Sequence, residues 1–290
     1  MATKYTINIF KKEYSTEAAC LDRILKLKYP DLKTCPKCNR EATFTRIKTR
    51  PCYHCDKCYY QIYPTVGTIF EKSTTPLTSW FFAMYLFTAS KNGLSAKELE
   101  RHLGVTYKCA FRMLHKIRSI LENDKDLLSG VVELDETFVG GKNINRHYDK
   151  KIQGCQGRSH KDKTPVFGML ERGGNVVAKV VKDTKIQSII PIAKRTIEEG
   201  SIVCTDEYSA YDSSRPDYIH ERVNHNIGQY ANGDVTTNRI ENFWSNVKRT
   251  LKGSYITVSP KYLQNYVNEC TFKYNNKGNK NLFNELLEHI

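Results

Sequence analysis

The chain has 290 residues, 40% of them hydrophobic, and carries 45 Lys and Arg against 31 Asp and Glu, a formal net charge of +14. This length suits about two domains, and the positive charge favours a polyanionic partner, with nucleic acid as the first candidate. No apolar run approaches the ~18 residues that a membrane-spanning helix needs, and residues 1–15 lack a signal-peptide core, so we expect an intracellular protein with no membrane partner.

A metal-binding pattern lies near the N-terminus. Five of the ten cysteines fall between Cys35 and Cys58, which is typical of a metal site in a reducing compartment and not of a disulfide framework. The pairs Cys35-x-x-Cys38 and Cys55-x-x-Cys58 are separated by 16 residues, the spacing of a zinc ribbon in which two knuckles share one tetrahedral ion. Because protein would fill all four positions, we expect one structural Zn2+.

Two neighbouring residues offer alternative ligands. Cys52 lies three residues before Cys55, so these two cysteines form a competing pair, and His54 could enter a mixed site. We favour Cys55 and Cys58, because the segment YHCDKCYYQIYP then predicts strand, knuckle and strand, with Cys52 on the incoming strand.

Residues 95–118 predict a helix-turn-helix. Ser95 and Glu98 form a capping box, Gly104 ends the first helix, and Thr106 can cap the second. Such a motif lays its second helix in the major groove of DNA. Paired amphipathic helices also serve as scaffolding, but the position between a zinc ribbon and a basic domain favours DNA binding. The basic residues of the second helix expected to contact DNA are Lys108, Arg112, Lys116 and Arg118.

The pattern then changes from helices to strands. Residues 131–138 form a β-type run, and residues 164–183 predict a hairpin that turns at Gly173-Gly174. Residues 186–200 predict an amphipathic helix whose Pro191 must lie in the first turn or kink it. The segment SIVCTDEYSAY contains a short buried strand. This order predicts a mixed sheet with helices on its faces.

Two of these strands end in acidic pairs. Asp135 and Glu136 lie near the end of the first run, and Asp206 and Glu207 follow the buried strand. Strand alternation sends adjacent residues to opposite faces, so only one member of each pair should converge on a common site. Carboxylates are also common in turns at strand ends, and without a third acid that interpretation would be preferred.

The third acid is Glu241, the one carboxylate in the otherwise basic segment 236–255. A helix over about residues 238–252 would place Glu241 and Lys248 on one polar face, two turns apart. Asn238 and Glu241 also fit a capping box, in which the glutamate merely returns to the start of the helix. The apolar residues expected to form the buried stripe are Ile240, Phe243, Trp244, Val247 and Leu251.

Asp135, Asp206 and Glu241 together suit Mg2+ or Mn2+. Hard divalent cations take oxygen ligands from a few carboxylates and keep open positions for water and phosphate. Two such ions about 3.5–4 Å apart can activate a water or a 3′-hydroxyl and stabilise the leaving oxygen in a displacement at phosphorus. The sequence therefore predicts a two-metal site beside bases that hold a polyanion.

The order of motifs along the chain is specific. CPKC and CDKC are followed by VGTIF and GLSAKELERHLGVTYKCAFRMLHKIR, and then by VVELDETFVGGK, TPVFGMLERGG, TDEYSAY, VNH and TNRIENFWSNVKRTLKGSY. Over nearly its whole length the chain resembles transposases of the IS1595/ISXO2 group and their eukaryotic Merlin relatives. The resemblance implies an RNase H-like catalytic domain of the DDE class that cuts DNA at transposon ends and joins the freed 3′-hydroxyls to target DNA.

Carried over by residue, the resemblance implies a catalytic triad of Asp135, Asp206 and Glu241 that holds the two ions. It also implies a basic catalytic residue at Lys248, seven positions beyond the glutamate. His225 and Asn238 match family motifs and are expected to have a supporting role near the site. Further DNA contacts are expected at Lys142, Arg239, Arg249 and Lys252.

The predicted domains are residues 1–72 with the zinc ribbon at 35–58, a helix-turn-helix domain at 73–126, and an RNase H-like domain with C-terminal helices at 127–290. Residues 142–163 and 236–280 carry net charges of +5 and +6. Their sequence proximity to the proposed metal site favours a DNA track, whose binding should weaken steeply with salt.

The expected partners are double-stranded DNA, as terminal inverted repeats and target, and a second copy of the chain, because transposition brings two ends together. The expected location is the cytoplasm or nucleoid of a bacterial host, or the nucleus of a eukaryotic one. Two alternatives stay open. One is a zinc-ribbon regulator without catalysis, such as a domesticated transposase, and the other is an RNase H-like nuclease that cuts but does not join.

Overall fold

The computed structural model describes most of the chain. The described residues are 5–122, 127–141, 143–153, 162–205, 218–222 and 236–290, excepting the side chains of Lys150, His220 and Arg222. Within these ranges, no helix has both the length and the apolar character needed to cross a membrane. They divide into two compact units, which we call the ribbon unit and the sheet unit. The ribbon unit holds the residues up to Leu121 together with Gly278–Ile290, and the sheet unit holds Glu122–Lys277.

The ribbon unit combines helices with a small sheet. Its described strands pair antiparallel in the order β1, β2, β3. This confirms the predicted zinc ribbon, because β2 and β3 flank the second knuckle. The elements are α1 (Ile7–Glu13), α2 (Glu17–Lys28), β1 (Phe44–Ile47), β2 (Cys52–Cys55), β3 (Gln61–Ile62), α3 (Leu77–Ala89), α4 (Ala96–Leu103) and α5 (Tyr107–Ser119).

The C-terminal residues complete the ribbon unit. The ring of Phe283 lies 5.3 Å from Tyr5, 5.5 Å from Phe10 and 5.6 Å from Tyr14, measured between ring centroids. The C-terminal residues were predicted to belong to the RNase H-like domain, but they group with the ribbon unit. Phe283, Leu286 and Leu287 are buried, and no short-range pattern could link Phe283 to aromatic rings near the start of the chain. The segment forms one helix, α9 (Leu282–Leu287).

The α4–α5 pair has the caps that the sequence predicted. Ser95 Oγ accepts a hydrogen bond of 3.1 Å from the backbone N–H of Glu98, and Thr106 Oγ1 accepts one from Cys109. Gly104 between the helices has φ +65, the left-handed conformation that glycine adopts without steric cost. The two helices therefore start and stop where the cap residues predicted.

The sheet unit is built on a mixed sheet with helices on its faces, which confirms the predicted α/β class. Its described strands lie in the order β6, β5, β4, β7, β8, and β4 to β6 pair antiparallel, whereas β4, β7 and β8 run parallel. The elements are β4 (Val131–Val139), β5 (Thr164–Glu171), β6 (Val176–Val180), α6 (Ile186–Thr196), β7 (Ile202–Thr205), β8 (Ile219–Arg222), α7 (Asn238–Thr250) and α8 (Leu263–Asn275).

Each face of this sheet has its own apolar core. On one face, α6 packs against alternate residues of β4, β5 and β7, and we call this the α6 face. On the other face, α7 and α8 pack against the intervening residues of β5 and β6, and we call this the α7 face. Because strand residues alternate, the core that a residue joins identifies the face on which its neighbours lie.

Two helices of the sheet unit show details that the sequence left open. Pro191 is the sixth residue of α6, beyond the first turn, where it removes the N–H that would bond to the carbonyl of Gln187. The α-helical part of α7 ends at Thr250, and a π-helical turn follows it over Leu251–Tyr255. The hairpin prediction is confirmed, since β5 and β6 are joined through a turn in which Gly173 has φ +82.

Gly168 of β5 is required by the packing of α7. A Cβ atom at this position would overlap Cζ2 of Trp244 and would lie 2.8 Å from its Cη2. We expect Gly168→Ala to lower the free energy of unfolding of the sheet unit by about 1–3 kcal/mol, because the indole would have to move in a packed core. Thermal or urea unfolding followed by tryptophan fluorescence measures this change.

Gly253→Ala is the matched control for this prediction. A Cβ atom at Gly253 meets no atom within 4 Å, and this glycine lies in a helical turn. Its replacement by alanine should therefore leave stability unchanged or raise it slightly. Equal stabilities of the two variants would contradict the role given to Gly168.

Candidate active site and zinc centre

Four cysteine sulfurs of the ribbon unit form one cluster. The Sγ atoms of Cys35, Cys38, Cys55 and Cys58 all lie within 4.8 Å of one another, and those of Cys35 and Cys58 are 3.6 Å apart. Zn–S bonds of about 2.3 Å place tetrahedral sulfurs roughly 3.8 Å apart. The donor set and its spacing therefore fit a Zn2+ ion and support a structural zinc.

The charges of the cluster also favour a cation. Burial opposes ionisation of Cys35, but the backbone N–H groups of Cys38 and Lys37 outweigh it and lower the pKa of that thiol to about 6. The pKa of Cys58 is raised to about 12. The backbone N–H of Tyr60 favours its thiolate, but burial and the neighbouring sulfurs outweigh that effect. The Cys35 and Cys58 sulfurs therefore do not both become thiolates easily, and a bound Zn2+ would favour the thiolate form of both.

The alternative ligands lie outside the cluster. Cys52 is buried on β2, and its Sγ lies 3.8 Å from Oε1 of Gln61. His54 Nδ1 faces the carbonyl of Thr45 at 3.3 Å. The structure thus supports the preferred ligand pair of Cys55 and Cys58.

Asp135 and Glu136 lie on opposite faces of the sheet. Val132 and Leu134 of β4 pack in the core of the α6 face, and alternation puts Glu136 on that side as well. Asp135 therefore lies on the α7 face, where it is half-buried. This geometry selects Asp135 as the member of the pair that shares a face with α7.

The helix that carries Glu241 packs on the sheet beside Asp135. Asp135 is opposite Gly168 in the β4–β5 register, and Trp244 of α7 lies directly over that glycine. Trp244 is three residues beyond Glu241, about one helical turn. The close contact between Gly168 and Trp244 thus places α7 on the β4–β5 pair, beside Asp135.

Glu241 itself is exposed at the start of α7. Its Oε1 accepts a hydrogen bond of 3.2 Å from Thr237 Oγ1, and its backbone N–H donates to the Thr237 carbonyl. Asn238 is the first helical residue and not the N-cap, so the Asn238–Glu241 capping box does not form. The helix start is capped by another group, described below.

The two sides of α7 confirm the predicted amphipathic pattern. The apolar stripe from Ile240 to Leu251 is buried in the core of the α7 face. The opposite side is exposed and basic, since the described charged residues there besides Glu241 are cations. The exposed cations are Arg239, Lys248, Arg249 and Lys252.

Several predicted site residues lie outside the described residues. They are Asp206 with its neighbour Glu207, His225 and Lys142. The strand that leads to Asp206 is described as far as Thr205, which is buried at its end. The described part of the proposed site is thus Asp135, Glu241, Lys248 and Asn238.

Glu133 and Arg172 were not among the predicted site residues. Glu133 lies on β4, two residues before Asp135, and its side chain is fully buried. Arg172 Nε donates a hydrogen bond of 2.9 Å to Glu133 Oε1. Glu133 Oε2 accepts hydrogen bonds from the backbone N–H groups of Arg239 and Ile240, at 3.0 and 3.1 Å, and so caps α7. The sequence did contain a signal for this pair, because Glu133 lies inside the apolar run VVEL. An acid in a buried strand must have a hydrogen-bonding or charged partner elsewhere in the fold.

The basic residues of α5 fall into two groups. Lys108 and Arg112 are exposed, as DNA contact requires. Lys116 is half-buried, and its Nζ donates to the carbonyl of Ile69 at 2.9 Å. Arg118 is only 1% exposed, which corrects the expectation that it contacts DNA.

The burial of Arg118 has identifiable partners. Its Nη2 donates to the Leu94 carbonyl at 3.3 Å, and its guanidinium lies 5.8 Å from the ring centre of Phe87. Burial lowers the pKa of the nearby His115, and repulsion by Arg118 lowers it further. Helical periodicity could not reveal the burial of Arg118, because a charged side chain is expected to reach solvent even from a core-facing position.

Two sequence families match the chain. The ISXO2-like transposase domain matches residues 127–275, which cover all members of the proposed triad and Lys248. The transposase zinc-ribbon domain matches residues 15–61, which include the four-cysteine cluster.

Two similar proteins are known from prokaryotes. An uncharacterized protein in transposable element ISH50 of Halobacterium salinarum is 29% identical over 256 residues, covering 83% of this chain and 85% of that protein. An uncharacterized transposase-like protein of Haemophilus influenzae is 29% identical over 102 residues, covering 35% of this chain and 81% of that protein.

Solved structures show weaker similarity. The simian T-cell lymphotropic virus intasome in complex with PP2A regulatory subunit B56 gamma matches with a TM-score of 0.31 and 14% identity, over 66% of this chain and 68% of that chain. The Mos1 strand transfer complex matches with a TM-score of 0.29 and 10% identity, over 71% and 73%. Scores this low carry no conclusion, so the assignment rests on the sequence match over residues 127–275, and by that match the chain belongs to the ISXO2-like transposase family.

Proposed function

We propose that this protein is a DNA transposase that binds the terminal inverted repeats of its element, cleaves the DNA there and joins the 3′-hydroxyls to target DNA. The observation that carries the proposal is the match of residues 127–275 to the ISXO2-like transposase domain. The position of Asp135 on the α7 face, opposite the glycine over which α7 packs, supports the proposal independently of that match.

In this proposal the carboxylates of Asp135, Asp206 and Glu241 hold two Mg2+ or Mn2+ ions. Carboxylate oxygens on a half-buried strand and an exposed helix turn are donors that suit hard cations. When bound, such ions polarise the phosphoryl group and neutralise charge on the attacking and leaving oxygens. Lys248, two turns beyond Glu241 on the exposed side of α7, holds the phosphate backbone near the acids, and Asn238 has a supporting role near the site.

The basic side of α7 and the exposed part of α5 supply the DNA contacts. Arg249 and Lys252 extend the basic surface beyond Lys248, and Lys108 and Arg112 serve the helix-turn-helix. His225 and Lys142 keep the supporting and DNA-contact roles that the resemblance implies. A homodimer or larger assembly is part of the proposal, because two transposon ends must be cut and joined together.

The direct test incubates the zinc-loaded protein with labelled DNA from the ends that flank its gene, with Mg2+ or Mn2+ and a target plasmid. We expect metal-dependent nicking at the ends and joined products. Binding without any cleavage would support a DNA-binding regulator instead. Cleavage without joining, with ends whose 3′-hydroxyls are intact, would support a nuclease.

The two arginines of α5 give a matched test of the proposed DNA surface. Arg112→Ala should weaken binding to end DNA and reduce the slope of log affinity against log salt by about 1, because one phosphate contact is lost. Arg118→Met should leave that slope unchanged and lower thermal stability, because a buried hydrogen bond is lost. Filter binding at four salt concentrations measures the slopes, and an unchanged slope for Arg112→Ala would remove α5 from the interface.

A further inference from the structure

We propose that the buried pair of Glu133 and Arg172 positions the metal-binding acids of the site by tying together the elements that carry them. The inference rests on the proposed function and deepens it. It makes Glu133 and Arg172 positioning residues, with no contact of their own to metal or DNA.

Arg172 bonds to parts of the chain that lie close in sequence to each acid. Its Nε donates to Glu133, two residues before Asp135 on β4. Its Nη2 donates to the carbonyl of Thr236 at 2.9 Å, just before α7, and lies 3.9 Å from Sγ of Cys204 on β7. Glu133 and Cys204 face each other in the parallel β4–β7 register, so one guanidinium fork bridges β4, β7 and the entry to α7.

Glu133 fixes the other end of this connection. Its Oε2 accepts from the N–H groups of Arg239 and Ile240, the two residues that precede Glu241. A carboxylate at a helix N-terminus satisfies orphan N–H groups and complements the helix dipole. The start of α7 is therefore bound to β4 through a side chain only two positions from Asp135.

The same contacts exclude Glu133 from the metal site. One carboxylate oxygen receives the arginine, and the other receives two backbone N–H groups, so its charge is matched inside the protein. The local acids thus differ in role. Glu133 is bound within the fold, whereas Glu241 is exposed to solvent.

A buried ion pair gives weak stabilisation when compared with a well-packed apolar pair, because both charges lose their hydration. What such a pair does contribute is orientation, because a planar guanidinium donates hydrogen bonds only to acceptors in its own plane. Partners of metal-binding groups typically change metal affinity or activity 10–100-fold when they are removed. We expect the Glu133–Arg172 pair to fall within that range.

The experiment uses the full-length, zinc-loaded protein and two variants. Arg172→Lys keeps the charge beside Glu133 but removes the second arm of the fork, and Glu133→Gln keeps the shape but removes the charge. The Mn2+ dissociation constant is measured by electron paramagnetic resonance well below the unfolding temperature, together with the rate of end cleavage. We expect Arg172→Lys to raise the dissociation constant about 10-fold and Glu133→Gln about 100-fold, with parallel losses of rate.

Glu269→Gln is the matched control. Glu269 is also fully buried, and it pairs with Lys273 at 2.9 Å within α8. This variant should lose stability yet keep the Mn2+ dissociation constant of the wild type. The control separates the specific effect of losing the Glu133–Arg172 pair from the general effect of disturbing any buried ion pair in the sheet unit.

The outcomes separate this inference from the proposed function. If folded Arg172→Lys and Glu133→Gln proteins bind Mn2+ and cleave like the wild type, the positioning role is overturned while the transposase proposal stands. If Glu133→Gln does not fold, folded Arg172→Lys alone decides in the same way. If the wild type neither binds Mn2+ nor cleaves, or Asp135→Asn changes neither property, the proposed function itself fails.

Discussion

Glu241→Gln should abolish metal-dependent cleavage and strand transfer while leaving the affinity for end DNA nearly unchanged. An amide keeps the size of the side chain but removes the negative charge that a divalent cation requires. A loss of about 4 kcal/mol of transition-state stabilisation corresponds to roughly a thousandfold decrease in rate. Single-turnover cleavage of labelled ends, with DNA affinity measured in parallel, tests this, and Asp135→Asn and Asp206→Asn should behave in the same way.

Asn242→Ala is the control for Glu241→Gln. Asn242 is the next residue along α7, is exposed, and bonds to Asn246 at 3.2 Å on the helix surface. Its replacement should leave the cleavage rate unchanged. If Glu241→Gln also cleaves at the normal rate, this glutamate serves the local structure, as in its hydrogen bond from Thr237, and the triad assignment is wrong.

Removal of zinc, or Cys35→Ser, should unfold the ribbon. Structural zinc sites couple metal binding to folding, with apparent binding free energies of about 10–16 kcal/mol in small zinc domains. We expect loss of sequence-specific binding to the ends, with residual non-specific cleavage by the sheet unit. Bound zinc is measured by metal analysis, and end specificity by competition between end DNA and random DNA.

Cys52→Ser provides the control for Cys35→Ser. Cys52 is buried in the same small sheet, but its sulfur is not in the four-cysteine cluster. The variant should keep one zinc per chain and the specificity of the wild type. Full end specificity in Cys35→Ser protein that has lost its zinc would contradict the role given to the ribbon.

The elements whose signals are local could be predicted from the sequence. The zinc cluster follows from two Cys-x-x-Cys knuckles, and the α4–α5 turn follows from Ser95, Gly104 and Thr106, because each of these residues acts on its own neighbours. The amphipathic pattern of α7 has the same origin. Alternation alone also separated Asp135 from Glu136, and the two apolar cores of the sheet bear this out.

The features that the sequence did not reveal depend on distant partners. Arg118 occupies a core-facing position of α5, four residues after buried Leu114, but its charge predicted an exposed side chain. Its contacts with the Leu94 carbonyl and the Phe87 ring, which are distant in sequence, show how the charge is accommodated inside. The acceptor for the backbone N–H groups of Arg239 and Ile240 at the start of α7 is Glu133, more than a hundred residues earlier, so the alternative capping box of Asn238 and Glu241 does not form. Pairings at such separations are set by the tertiary fold.

The position of α9 has a consequence for the order in which the chain can fold. Residues 278–290 are synthesised after the whole sheet unit, yet Phe283 fills the space between the aromatic rings of the first helices. On the ribosome, the zinc knuckles can close early, but the helical part of the ribbon unit stays incomplete until residues 278–290 have been synthesised. A product truncated within the sheet unit would therefore expose Phe10 and Tyr14 and be recognisable to proteases as unfinished.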